Sequence, residues 1–299
     1  MYNLTKSFKI TLTLLICLII VGVVFSFVFG ANTFATLGNG QQLIYSVEHK
    51  ENGDYSAEIS EAKHFLKGQK ASIITVQKRF DANDKTNALL FTFKADKDIN
   101  ESVTIGDKVC AVTKINSAPA VREVVRGAIA SAVVLAVLFA YLALRFIKNN
   151  WLAHSIGFLA TALINVCAMY GIVQILGIVG YQYDSNIMAA VIYTIMATAL
   201  LFVIFTSSSK NYAAIKNVSL SQAVEPSLKN IFCLTSIVFG LIALFCIALM
   251  GIMGNGFIIV LMPVLIATIV TFASGFFVAP YLFRTLLKNQ PNRQKTENQ

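Results

Sequence analysis

The side chains able to do chemistry are few, and most of them sit in apolar surroundings. Asn165, Gln174, Tyr193, Thr194 and Thr198 are the strongest polar groups inside long apolar segments, and no Asp, Glu, Lys, Arg or His lies in the interior of any of those segments. An ionisable residue inside a membrane is the default sign of a proton or ion relay. Amides and hydroxyls can hydrogen-bond between helices, but they neither hold nor release a proton at neutral pH. Ser207-Ser208-Ser209 is rich in hydroxyls, yet no His or carboxylate stands near it in sequence, and a hydrolytic site needs such a partner. His49 and His64 have no second ligand at metal spacing. Cys17, Cys167, Cys233 and Cys246 lie in apolar segments and Cys110 is alone in a polar region, so neither a disulfide framework nor a CxxC site is expected. The expectation is a chain without catalytic residues, metal or cofactor.

The elements that carry these residues are long. Ile187 to Thr206 is an uncharged run, and about 20 apolar residues is the length that crosses a bilayer as a helix. With 56% hydrophobic and 13% charged residues, the composition is that of a membrane protein, since a soluble domain carries about 25% charged residues. Six transmembrane helices are expected, at about 10–30, 127–147, 155–179, 187–206, 231–252 and 257–282. Residues 1–9 precede the first, and Ser207 to Asn230 reads as a polar connector. Residues 126–287 form the main membrane domain, and 288–299 read as a disordered basic tail. The first run, Ile10 to Phe29, is too long for a signal-peptide core and reads as a retained helix. Cleavage near Ala31 or Ala35 is the minor alternative.

Charge orients the spans. Between Ala31 and Glu123 there are 12 basic and 12 acidic residues, so the surplus of +9 flanks the apolar segments. Lys6 and Lys9 place the N-terminus in the cytoplasm. Six crossings then put Arg145, Lys148, Lys210, Lys216, Lys229 and the basic tail on the same side, leaving Arg126 as the exception. No basic groove with interleaved aromatics is present, and nucleic acid is not an expected partner. Residues 31–125 become an extracytoplasmic domain. Strands are expected at Leu43–Val47, Ser72–Gln77, Ala88–Phe93 and Val109–Thr113. Ile59, Ala62, Phe65 and Leu66 give one helical face, ended by a left-handed cap at Gly68. The β-α-β-β-β order suggests a small α/β (ferredoxin-like) sandwich between helices one and two. Gly38-Asn39-Gly40 is a turn signal ahead of it.

Small residues recur every fourth position in three helices: Ala190, Thr194, Thr198; Gly157, Thr161, Asn165; and Ala267, Thr271, Gly275, Ala279. Such faces let membrane helices approach closely. Asn165, Thr194, Thr198, Gly157, Thr161 and Gly275 are therefore the candidate intramembrane polar and packing positions.

The order of parts resembles the SecF half of the SecD/SecF family of bacterial export accessory proteins, which belongs to the resistance-nodulation-division type. The start Met1 to Lys6 is similar to the family's. Phe34 to Gly40 leading into Leu43–Val47 resembles its Phe-x-Gly-Gly turn and first outer strand. Ser117-Ala118-Pro119-Ala120-Val121-Arg122-Glu123 resembles its Val-Gly-Pro-x-Val-Gly approach to the second helix. Tyr141-Leu142-Ala143-Leu144-Arg145-Phe146 resembles the exit from it. Ser219 to Val224, through Leu228-Lys229-Asn230, is similar to the connector before the fifth helix, and Val278-Ala279-Pro280-Tyr281-Leu282 to the end of the sixth.

The departures fall on charge. Ile164-Asn165 stands where the family has a His-Asp pair. The acids of the family's fourth helix are missing from Ile195–Leu201 and Thr206–Asn211, Lys229-Asn230-Ile231 replaces its Ser-Arg-Thr, and the Asp of its Gly-Ile-Asp-Phe stretch is lost. The resemblance implies assistance to preprotein translocation by the proton motive force across the bacterial plasma membrane, with a SecD-like subunit and the Sec translocon channel as partners; the missing acids place any proton coupling in the SecD-like partner. The competing readings are a membrane-anchored receptor or scaffold whose outer domain binds a partner, and an integral membrane enzyme.

Overall fold

Apolar runs that must satisfy every backbone polar group internally become helices, and the polar stretch after the first of them folds into a sheet. The computed structural model describes residues 4–29, 40–50, 54–80, 86–95, 99–115, 118–147, 150–179, 181, 183, 185–253 and 255–288. In chain order the elements are α1 (Leu4–Phe29), β1 (Gly40–Ser46), α2 (Ser56–Gly68), β2 (Ser72–Phe80), β3 (Thr86–Lys94), β4 (Ser102–Ile105), β5 (Lys108–Lys114), α3 (Ala118–Arg145), α4 (Trp151–Ile175), α5 (Ile187–Lys216), α6 (Leu220–Met253), α7 (Asn255–Phe277) and α8 (Ala279–Lys288). A short 3-10 turn, Leu176–Val179, follows α4. Among the described residues six helices are long and apolar enough to cross a membrane, and the chain is a multi-pass membrane protein. It divides into a helical unit, Met1–Asn32 with Arg126–Gln299, and an α/β unit, Thr33–Val125.

In the α/β unit the five antiparallel strands run in the order β2-β3-β1-β5-β4. Register places Leu43 opposite both Phe91 and Val112, and Tyr45 opposite Leu89. These side chains, with Phe93 and Cys110, form one buried face under Ile59, Ala62, Phe65 and Leu66 of α2, the helical face read from sequence. Two details differ from that reading. The left-handed residue after α2 is Lys70 (φ 56°) rather than Gly68, which is still helical. A fifth strand, β4, pairs with β5 around Gly106 (φ 58°), in a stretch too short and polar to read as a strand. The turn at Gly38-Asn39 and the cleavage positions Ala31 and Ala35 lie outside the described residues, as does the tail from residue 289.

In the helical unit α4, α5 and α7 are about half buried, whereas α1, α3 and α6 lie at the rim. Hydroxyl side chains are accommodated in the spans because they bond back to the carbonyl one turn earlier. Thr161 donates to Gly157 O (2.8 Å), Thr194 to Ala190 O (2.7 Å), Thr206 to Phe202 O (2.8 Å) and Thr268 to Val264 O (2.7 Å). The Ser207–Asn230 stretch is not a loop. α5 continues through the three serines to Lys216, the chain reverses at Asn217 (φ 50°), and α6 begins at Leu220. Ser209 explains the continuation: its hydroxyl donates to Phe205 O at 2.8 Å and meets Ser227 Oγ of α6 at 2.8 Å, so buried polar residues zip the two helices together. The last apolar segment breaks between Phe277 and Ala279, where Pro280 has no N–H to return to the preceding turn.

Candidate functional site

α4 and α5 bring the candidate positions together in the middle of the helical unit. Asn165 Nδ2 donates to Thr198 Oγ1 at 2.9 Å, and Thr198 donates onward to Thr194 O at 2.7 Å. Thr194 Oγ1 lies 3.6 Å from Met169 Sδ, so the Ala190/Thr194/Thr198 face is turned toward α4. Asn165, Thr161, Thr194 and Thr198 are all buried, and Asn165 Oδ1 and Thr271 Oγ1 have no hydrogen-bond partner. The arrangement offers neutral donors and acceptors in an apolar interior. The threonine proton is committed to a carbonyl and the carboxamide does not ionise at neutral pH, so the cluster can join helices but holds no titratable charge.

The glycines set the closeness of the same helices. A Cβ on Gly157 would lie 3.0 Å from Phe202 Cζ, and one on Gly275 would lie 2.6 Å from Leu201 Cδ1. Both therefore sit at crossings with α5. Sequence spacing missed a tighter crossing, between α1 and α4: a Cβ on Gly171 would lie 2.6 Å from the Leu18 carbonyl oxygen, and Gly22 is placed directly against Gly171. Gly22 is the one glycine of α1 and Gly171 falls off the fourfold spacing of Gly157, Thr161 and Asn165, which is why this contact is not visible in the sequence.

A second residue escaped sequence reading. α4 starts at Trp151, after Asn150 turns left-handed (φ 56°), so His154 falls inside the helix rather than before it. It stands in the first turn of α4, near the ends of α3 and α5 rather than in the interior of the spans. The imidazole stacks on Phe146 (centroids 3.8 Å apart) and meets Phe283 edge-on (4.7 Å). Its Nδ1 is 3.0 Å from Asn150 O, an acceptor, which puts the ring proton on Nδ1. Nε2 is then a buried acceptor without a partner. Lys210 lies over the Phe146 ring at 4.0 Å and Arg145 at 5.8 Å, so cations and imidazole share one aromatic ring. Among the described residues no group of three His, Cys, Asp or Glu could hold a metal.

At the other end of α4, Gln174 Nε2 donates to Tyr183 OH (2.9 Å), which also meets Tyr170 OH (3.0 Å). Burial, then the bond to Tyr170, raises the Tyr183 phenol, so it stays protonated. In the α/β unit the polar groups are structural: Tyr45 OH donates to Glu61 (2.9 Å) and Lys50 pairs with Glu58 (2.6 Å). His49 and His64 are exposed.

No protein-family model matches the chain, and no curated protein matches it. Solved structures do. A crystal structure of SecDF in a super-membrane-facing form is matched over 98% of this chain, with a TM-score of 0.65 at 14% identity. A crystal structure of SecDF from Thermus thermophilus, described as a translocon-associated membrane protein, is matched over 85%, with a TM-score of 0.47 at 12% identity. The chain spans 40% and 45% of the length of those two chains. The fold is SecD/SecF-like.

Proposed function

We propose that this chain is a SecF-type accessory subunit of the Sec export machinery, acting with a SecD-like partner to assist preprotein translocation across the bacterial plasma membrane with both termini in the cytoplasm. The observation that carries the reading is the whole-chain match to part of a longer SecDF chain, with a TM-score of 0.65. A SecD-like subunit would contribute the remainder of that architecture. The Asn165–Thr198 cluster is proposed as the joint that holds α4 to α5 while this assembly works. Because its members carry no exchangeable charge, proton coupling is assigned to the partner, and the subunit itself acts without catalysis.

Leu200 supports this division of labour. It lies in the stretch that stands where the family has its fourth-helix acid, and 56% of it is exposed, turned away from Asn165. An acid restored there would face lipid or a partner, not the polar cluster. Capture of the tagged full-length chain from native membranes should retain a SecD-like subunit or the Sec channel, and deletion of the gene should slow preprotein export. Recovery of the chain alone, with export unchanged in the deletion strain, would argue against the proposal. A reconstituted complex that gained proton-driven export only with Leu200→Asp would contradict the assignment of coupling to the partner.

A further inference from the structure

We propose that the groove between the end of α5 and the start of α6 binds one anionic phospholipid. The groove has a volume of about 580 Å³, within the size range of small-ligand sites. Its apolar wall is Val203, Ile204 and Ile215; its polar wall is Ser207, Asn211, Tyr212 and Asn230, with Lys216 at the end. No carboxylate lines it. The nearest acid on the first turns of α6, Glu225, is engaged by Arg284 at 3.4 Å. Lys229 is exposed but does not line the groove.

Length fixes where this groove stands in the bilayer. α5 has 30 residues, about 45 Å at 1.5 Å per residue, and the hydrocarbon core is about 30 Å thick. The 20 uncharged residues Ile187–Thr206 fill that core, so the ten that follow project through the headgroup layer. Val203 and Ile204 are then at acyl-chain depth and Asn211 at headgroup depth, with Lys216 at the outer end of the groove. From Val203 to Lys216 the wall is about 20 Å long, enough for a headgroup and the upper part of one chain. A soluble ligand would leave the apolar end unfilled; a lipid fills both. Lys216, with no lining carboxylate to neutralise it, selects a negative headgroup over a zwitterionic one. The inference uses only the spans and the groove, and stands apart from the export reading.

The test is native mass spectrometry of the full-length protein released from nanodiscs of phosphatidylglycerol, phosphatidylcholine or their mixture. Retention of one phosphatidylglycerol is expected, with about a fivefold preference lost for Lys216→Gln and none for Lys229→Gln. Lys216→Arg should keep the preference, and Lys67→Gln in α2 should leave it unchanged. A folded Lys216→Gln protein that still prefers phosphatidylglycerol would overturn the proposal, as would equal retention of the two lipids. Release of the lipid by millimolar inorganic phosphate would reassign the groove to free phosphate. Loss of the lipid when a membrane partner co-purifies would reassign it to that partner.

Discussion

At the residue scale the joint between α4 and α5 is one side-chain hydrogen bond, and its two ends are not equivalent. Thr198→Val leaves the whole Asn165 amide buried and unpaired, an expected cost of about 1–2 kcal/mol. Asn165→Leu removes the bond together with the orphaned Oδ1, so it should cost less. Unfolding of the detergent-solubilised chain by increasing sodium dodecyl sulfate ranks the two, and the reverse order would contradict this account. A pH effect belongs to Tyr45. Burial and then its bond to Glu61 push this phenol up to about 12 from 10.0. Because the folded state holds the proton more tightly, Tyr45 stabilises the fold below pH 10 and loses that contribution as pH rises toward 12. Alkylation of the buried Cys110, in a variant without the other four cysteines, should accelerate over that interval relative to an unfolded control. Tyr45→Phe should remove the increment. Asn165 and Thr198 were legible in the sequence because each is polar in an apolar run at fourfold spacing. His154 was not, because the left-handed turn at Asn150 that starts α4 early is a backbone event without a sequence signature.

At the scale of elements, close packing is set by missing side chains. Gly171→Leu should separate α1 from α4 and cost about 1–3 kcal/mol through overpacking. Gly240, with open space around it, should accept the same substitution without measurable loss. Thermal unfolding of the two variants in one detergent checks both expectations; equal destabilisation would mean that α1 is not seated on α4 as described. Apolar spans were readable from length and hydropathy, because the bilayer leaves helix as the one way to satisfy their backbone. Their ends were not. Ser207–Lys216 is polar enough to pass for a loop, and it is the Ser209–Ser227 contact, 18 residues apart in sequence, that keeps it helical. β4 was missed for a related reason: four residues carry too little pattern, and pairing with β5 makes them a strand.

For the whole molecule the testable property is sidedness. Three crossings, α3, α4 and α5, separate Val109 from Lys216, so the two must be reachable from opposite faces of the membrane. In a cysteine-free background Val109→Cys should react with an impermeant maleimide from outside intact cells, and Lys216→Cys should react only after lysis. Labelling of both from one side would overturn the span count and the positive-inside orientation with it. The six spans and the sheet between the first two were visible in hydropathy and strand pattern, but which helices occupy the centre depended on tertiary packing. The Gly22–Gly171 crossing has a further consequence for biogenesis. It joins α1 to a helix synthesised about 150 residues later, roughly 8 to 30 s of synthesis. Throughout that wait α1 is without the α4 face it will pack against. It is also the most apolar of the six candidate spans, as a nascent segment that has to hold its own place until its docking surface is made would need to be.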